Sequence, residues 1–300
     1  MSKTRTIARR VLGPLTGLLL FLQAALVLTG GAVRLTGSGM GCPTWPECVP
    51  GSYLPVEGQA EGALHAWIEF GNRLIAWLIL ILAIAGLIYI VRNLKERADY
   101  KRLRILAILQ IAGFLGQVVL GGITVLTKLN PISVSAHFVL TIPLIAGALA
   151  LRHRILDRPI LQVLPTTAIL AKIVITLTFI VLLIGTVVTG TGPHAGDIDA
   201  KRYNFDARAV SWLHADAVIL LIGLTFALFF VIRASENGLV QKQLGRLVSI
   251  FLIVAISQGA IGYIQYFTGL PELIVGAHLL GATLVWISVW RIKLTVTNSR

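Results

Sequence analysis

The stretch "QVVLGGITVLTKLNPISVSAHF", residues 117 to 138, returns later in the chain as "QGAIGYIQYFTGLPELIVGAHL", residues 258 to 279. Each copy opens with a glutamine, runs through apolar residues and a glycine, breaks at a short polar turn, and reaches a histidine in a new apolar run. Gln117 to His137 and Gln258 to His278 are both separations of 20, and Gly121 to His137 matches Gly262 to His278 at 16. Upstream, "GAVRLTGSG" after the first apolar run resembles "GTVVTGTG" at the end of the fifth, with one residue gapped. Self-similarity of this kind points to an internal duplication.

The runs around these copies are long enough to cross a bilayer core of about 30 Å. Eight can be marked, at Val11 to Val33, Trp67 to Val91, Leu103 to Leu126, Ile132 to Leu151, Pro165 to Gly190, Ala209 to Ile232, Leu247 to Phe267 and Leu273 to Trp290. The sequence thus predicts an all-α membrane protein of eight transmembrane helices in two tandem four-helix bundles, residues 1–155 and 156–300. Four helices return the chain to its starting side, so the halves share one orientation about an axis along the membrane normal.

Composition agrees. Of 300 residues, 56% are apolar and 13% charged, whereas soluble domains carry about a quarter charged residues. The first run follows a basic N-terminus, but it is too long for a secretory h-region and has no small-residue cleavage site, so it reads as a spanning helix. A net charge of +13 would suggest nucleic acid binding in a soluble protein; here the position of the charges explains it. About 20 of the 26 basic residues fall on one face when the eight runs are threaded through a membrane, which predicts cytoplasmic termini in a multi-pass protein of the cell (plasma) membrane. Those basic segments read as topology signals and contacts to anionic membrane lipid, with no nucleic acid partner. Acidic residues lean to the outer side.

Both cysteines, Cys42 and Cys48, lie in the first outer loop, in "CPTWPEC". A pair so spaced on the oxidising side of a membrane can close a small disulfide loop. It is either a structural staple or a redox-active pair, since strained or exposed disulfides are the labile ones.

The duplication orders the histidines. His137 opens helix 4, His278 opens helix 8, and His214 opens helix 6 at the same depth. The remaining equivalent place is the start of helix 2. His214 to His278 is 64 residues, and 65 residues back from His137 is Asn72; the cytoplasmic loop between helices 2 and 3 absorbs the difference. Asn72 therefore stands where the other half has histidine. Two histidines on facing helices can supply axial nitrogens on both sides of a haem plane. The C-terminal half offers His214 and His278 as such a pair, whereas the N-terminal half offers His137 and an asparagine, a poor iron ligand. That asymmetry separates a cofactor site from a substrate site.

Glu69 lies three residues before Asn72, so the two share a helix face. A carboxylate beside a porphyrin edge could accept a proton or stabilise positive charge developing during oxidation of a substituent; alternatively Glu69 forms an interfacial ion pair with Arg73 or Arg34. Arg34 and Arg73 could instead pair with haem propionates. Asp216, two residues past His214, reads as a helix-end polar residue or a partner behind the ligand. His153 reads as a surface histidine, His194 as a loop residue, and His65 as an outer-loop residue above the level of the other histidines.

Six motifs in order, "GGAVRLTGSGMGCPTWP", "EFGNR", "SAHF", "GTVVTGTGPHAGD", "WLHAD" and "GAHLLGA", resemble the haem A synthases of the bacterial and mitochondrial type, from about Ala24 to about Trp290. The resemblance implies an oxidoreductase acting on a CH group, which oxidises a ring methyl of haem O to a formyl by two successive hydroxylations and so makes haem A for cytochrome oxidase. It implies a haem b cofactor held by His214 and His278, a substrate haem with His137 as one axial ligand, and Glu69 as a residue required for turnover. It also implies a Cys42–Cys48 disulfide, and as partners haem O, the haem O synthase and cytochrome oxidase assembly factors. Many members carry histidine where Asn72 stands, so a bis-histidine substrate site does not carry over. Competing readings are a non-catalytic cytochrome b-like electron carrier or haem-transfer protein, which would need the histidines but not Glu69, and a small-solute transporter.

Overall fold

A computed structural model describes residues 3–298. Its helices are α1 (Lys3–Leu35), α2 (Ala63–Asn93), α3 (Tyr100–Leu126), α4 (Pro131–Ile155), α5 (Pro165–Thr191), α6 (Ala207–Ser235), α7 (Gly238–Phe267) and α8 (Glu272–Thr295). All eight are long and apolar enough to cross a membrane, so the chain is a multi-pass membrane protein. Most begin or end several residues beyond the apolar runs, because helical hydrogen bonding continues into polar flanks that hydropathy alone does not count. The earlier start of α2, at Ala63, brings His65 into its first turn instead of leaving it in a loop.

The starts of two helices are written into the sequence. Asn130 caps α4, its side chain accepting from the N–H of Ile132, with Pro131 in the first turn where its missing N–H costs nothing. Asp206 caps α6, accepting from Arg208 and Ala209. His137 and His214 thereby sit about two turns inside their helices, roughly 9 and 10 Å along the axis at 1.5 Å per residue.

The chain divides into two compact units. The first comprises residues 1–156 and 189–204, so the outer segment after α5 belongs with the N-terminal helices. In it, α1 packs on α2 and α4, and α3 packs on α2 and α4, closing a four-helix ring. The core at one end is Leu12, Ile90, Leu94, Leu103 and Ile155, and mid-helix it is Leu19, Ile79, Ala83 and Phe114. A buried polar tie crosses the ring: Gln23 Nε2 donates to Gln110 Oε1 (2.7 Å), and Gln110 Nε2 donates to the carbonyl of Leu144 (3.1 Å). Arg97 bonds Asp99 (2.6 Å) and the carbonyl of Arg154 (2.6 Å), while Arg152 reaches the carbonyl of Gly13. These basic residues therefore also hold helix ends together. His153 beside them is half-buried, a correction to its reading as a surface residue.

The second unit comprises residues 157–188 and 205–300. In it α7 packs on α6 and α8; α5 meets α8 through Phe179 and Trp286, whose ring centroids are 6.2 Å apart. A feature absent from the sequence reading closes the end away from the histidines: β1 (Leu161–Val163) pairs in parallel with β2 (Val296–Asn298), Leu161 opposite Val296. The buried Glu236 carboxylate accepts from the N–H of Leu164 at 2.8 Å and ties α6 to the end of this strand.

Candidate functional site

Each histidine singled out by the duplication packs against a glycine of the preceding helix. A Cβ at Gly121 in α3 would stand 3.4 Å from Cε1 of His137, one at Gly185 in α5 would stand 3.3 Å from Cε1 of His214, and one at Gly262 in α7 would stand 3.5 Å from Cε1 of His278. The same test at Gly30 in α1 meets Nδ2 of Asn72 at 3.9 Å. Four helix pairs thus repeat one arrangement, a bare backbone facing a polar side chain, and Asn72 occupies the fourth place. Gln117 and Gln258 repeat too: the first donates to Thr141 Oγ1 (2.8 Å), and the second lies against Gly281, each across to the following helix.

In the second unit the imidazoles of His214 and His278 face each other with ring centroids 6.4 Å apart and planes at 77°. Two imidazoles that share one metal at about 2.0–2.1 Å from each nitrogen have centroids roughly 6.5 Å apart. The Nδ1 atoms of His137, His214 and His278 are buried without a hydrogen-bond partner, which is costly for a polar atom inside a membrane bundle and usually marks function. Among the described residues no group of three His, Cys, Asp or Glu side chains converges as a metal site. A two-imidazole pair lined by glycine suits an iron whose other ligands come from a flat macrocycle, so these residues fit a haem. The first unit offers one such imidazole, His137.

The rest of the first unit's outer end is built around Glu69, which is buried at 6% exposure. Its Oε2 accepts from the backbone N–H of Cys42 (2.7 Å) and its Oε1 from Nη2 of Arg73 (2.6 Å). Arg73 also donates to the carbonyls of Cys42 (3.1 Å), Thr44 (3.3 Å) and Glu47 (3.3 Å). Cys42 and Cys48 form a disulfide. Between them Trp45 lays its indole against Gly122, where an added Cβ would meet Cδ2 at 2.5 Å. Gly122 follows Gly121, the residue that faces His137, so the cysteine loop rests on α3, the helix against which this histidine packs. Such an arginine fork satisfies several acceptors at once, which a lysine could not. Of the alternatives for Glu69, the ion pair with Arg73 is present in the structure.

Arg34 points to other partners, the carbonyls of His194 and Thr189, and so fastens the segment after α5 to the end of α1. His65 Nδ1 is 2.9 Å from Ser38 Oγ. Asp216 is exposed on α6. Other residues also shape this region. Tyr203 donates to the carbonyl of Pro131 (3.0 Å), and its hydroxyl oxygen is also within hydrogen-bond distance of Ser135 Oγ (3.1 Å), at the start of α4. A small cleft there is lined by Arg34, Val134, Ser135, Ala195 and Lys201. Thr29 donates to Asn72 Oδ1 at 2.7 Å. Trp45 lay within a quoted motif, and Gly30 follows from extending the repeat to its fourth place; Thr29 and Tyr203 carry no sequence signal of their own.

Residues 14–197 match the model of a family described as cytochrome oxidase assembly protein, more than half of the chain. The chain is 33% identical over 112 residues to a heme A synthase of Geobacillus kaustophilus, covering 37% of this chain and 32% of the relative. It is 32% identical over 112 residues to the heme A synthase of Geobacillus thermodenitrificans, with the same 37% and 32% covered. With the heme A synthase of Exiguobacterium sibiricum it shares 30% identity over 139 residues, 46% of this chain and 44% of that one. The chain thus spans between about a third and under half the length of these three relatives.

Proposed function

Because the chain belongs to the family of cytochrome oxidase assembly proteins, we propose that it is a haem A synthase, an oxidoreductase that converts a ring methyl of haem O to a formyl. The observation that carries this reading is Glu69: a buried carboxylate fixed by Arg73 and the Cys42 N–H, in the unit that holds one histidine of the repeated set instead of two. A pure electron carrier would use that carboxylate only as a structural partner of Arg73 and the Cys42 N–H. The relatives' printed name supports the same activity.

In this reading the second unit holds haem b through His214 and His278, and a bound haem supplies one-electron redox chemistry there. The first unit would receive haem O, with His137 as the residue that holds its iron. Glu69 takes up a proton from the reacting methyl or its hydroxylated product, or balances positive charge that develops there. Arg73 orients Glu69 and, with the Trp45 loop, limits water at the outer end. Arg34, beside the cleft that also contains Lys201, is placed for a haem propionate. Each of the two oxidations turns one C–H of the substituent carbon into C–OH with the oxygen of a water molecule, two electrons passing to an electron acceptor outside the protein and two protons being released; the gem-diol left by the second loses water to give the formyl. Both termini are cytoplasmic, and the protein works alongside the haem O synthase and cytochrome oxidase assembly factors.

Expression with haem O supplied, followed by extraction and mass analysis of the haems, tests the reading. Haem A or its hydroxymethyl precursor is expected, and only unchanged haem O would overturn it. Glu69→Gln separates the synthase from a non-catalytic cytochrome: haem A should fall to background while haem b stays bound, and normal haem A would exclude the catalytic role.

A further inference from the structure

The fourth place of the repeated arrangement carries a side chain that cannot do what its three counterparts do, and the structure shows how it is held. Asn72 and Gly30 oppose each other as His214 and Gly185 do. The Thr29 hydroxyl, one residue before Gly30 on α1, donates to Asn72 Oδ1 at 2.7 Å. That bond turns the carboxamide oxygen toward Thr29 and fixes the opposite orientation for the Nδ2 amide, which carries two donors and no acceptor. Nδ2 is also the atom on the Gly30 side, 3.9 Å from where a Cβ would stand. An amide nitrogen has no lone pair to give a metal. It can donate a hydrogen bond, and donors on the far side of a haem are among the features that decide which small ligands the iron accepts.

We propose that Asn72, set by Thr29, is a hydrogen-bond donor to a small lone-pair ligand at the haem site of His137, in the place where the other unit has the ligand His214. The assignment rests on the reading that His137 holds a haem. It makes the two units differ in kind: the C-terminal site is closed by two imidazoles, and the N-terminal site admits an exogenous ligand and steadies it.

Cyanide titration of the oxidised protein, purified with haem O supplied, tests this. About one cyanide per chain should bind, because a site closed by two histidines resists it. Asn72→Ala should keep that stoichiometry and weaken affinity about two- to tenfold, the size of one net hydrogen bond. Thr29→Val should weaken it in the same direction, and it serves as the deciding variant if Asn72→Ala loses haem. Asn72→His should abolish cyanide binding and add a second low-spin bis-histidine signal in electron paramagnetic resonance. Unchanged affinity in both Asn72→Ala and Thr29→Val would overturn the proposal, as would a wild-type protein that holds haem through His137 yet binds no cyanide. Haem A is measured on the same samples. Cyanide behaviour as expected with no haem A formed refutes the synthase reading and leaves this one standing; haem A formed with cyanide affinity blind to Asn72 and Thr29 does the reverse.

Discussion

A Cβ added at Gly185 would stand 3.3 Å from the His214 imidazole, whereas one at Gly223, farther along α6, meets nothing within 4 Å. The two glycines therefore predict opposite outcomes for one substitution. Gly185→Val should push the imidazole from its place and lose most haem b per chain, read as extracted haem against protein; Gly223→Val should leave the content unchanged. Equal content in the two variants would refute the idea that the bare backbone of α5 exists to seat His214. His278→Ala should lose haem b in the same way while spectral features that depend on His137 persist, and loss of both together would show that the sites are not separate. The candidate residues stood out in the sequence because histidine and glutamate are rare inside membranes and the duplication gave the histidines matching positions. The partners that set them were not. Thr29 and Tyr203 are ordinary residues whose role comes only from packing, and the Arg73 fork engages carbonyls that no side-chain pattern encodes.

Among the elements, the cysteine loop between α1 and α2 ties the most of the outer end together. Its disulfide restricts the unfolded loop, an effect typically of about 2–4 kcal/mol and smaller for short loops, while Arg73 pins the same loop at three carbonyls and bonds Glu69. Arg73→Lys keeps a positive charge beside Glu69 but cannot reproduce the fork. The variant should lower haem A several-fold more than it lowers haem b, and the loop at residues 42–48 should become the first site cut in limited proteolysis. Haem A at the wild-type level in Arg73→Lys would show that the charge alone suffices. The helices themselves were readable from apolar length, and their true ends lie farther out because capping residues such as Asn130 and Asp206 decide where a helix starts. The β1–β2 pair was not readable: three-residue strands have too little alternation to stand out, and their pairing joins residues far apart in the chain.

For the whole molecule, an even number of helices in each half fixes a consequence that single residues cannot. If each unit crosses four times, the loops after α2 and α6 lie on one side of the membrane, and those after α1 and α5 on the other. The distribution of basic residues predicts that the first pair is cytoplasmic. Arg97 and Arg152, though bonded within the fold, still count, because the bias acts on the chain during insertion, before those partners are in reach. Since the two native cysteines are bonded to each other, one introduced thiol reports one location. The exposed positions Lys95, Lys242, Glu57 and Asp199 serve for single cysteine substitutions labelled with a membrane-impermeant maleimide. Glu57→Cys and Asp199→Cys should react on intact cells, and Lys95→Cys and Lys242→Cys only after lysis. A fully inverted pattern would reverse the orientation and leave the tandem halves intact. Reaction of Lys95→Cys and Lys242→Cys from opposite sides would instead break the parallel arrangement, and with it the equivalence that puts Asn72 in the place of His214.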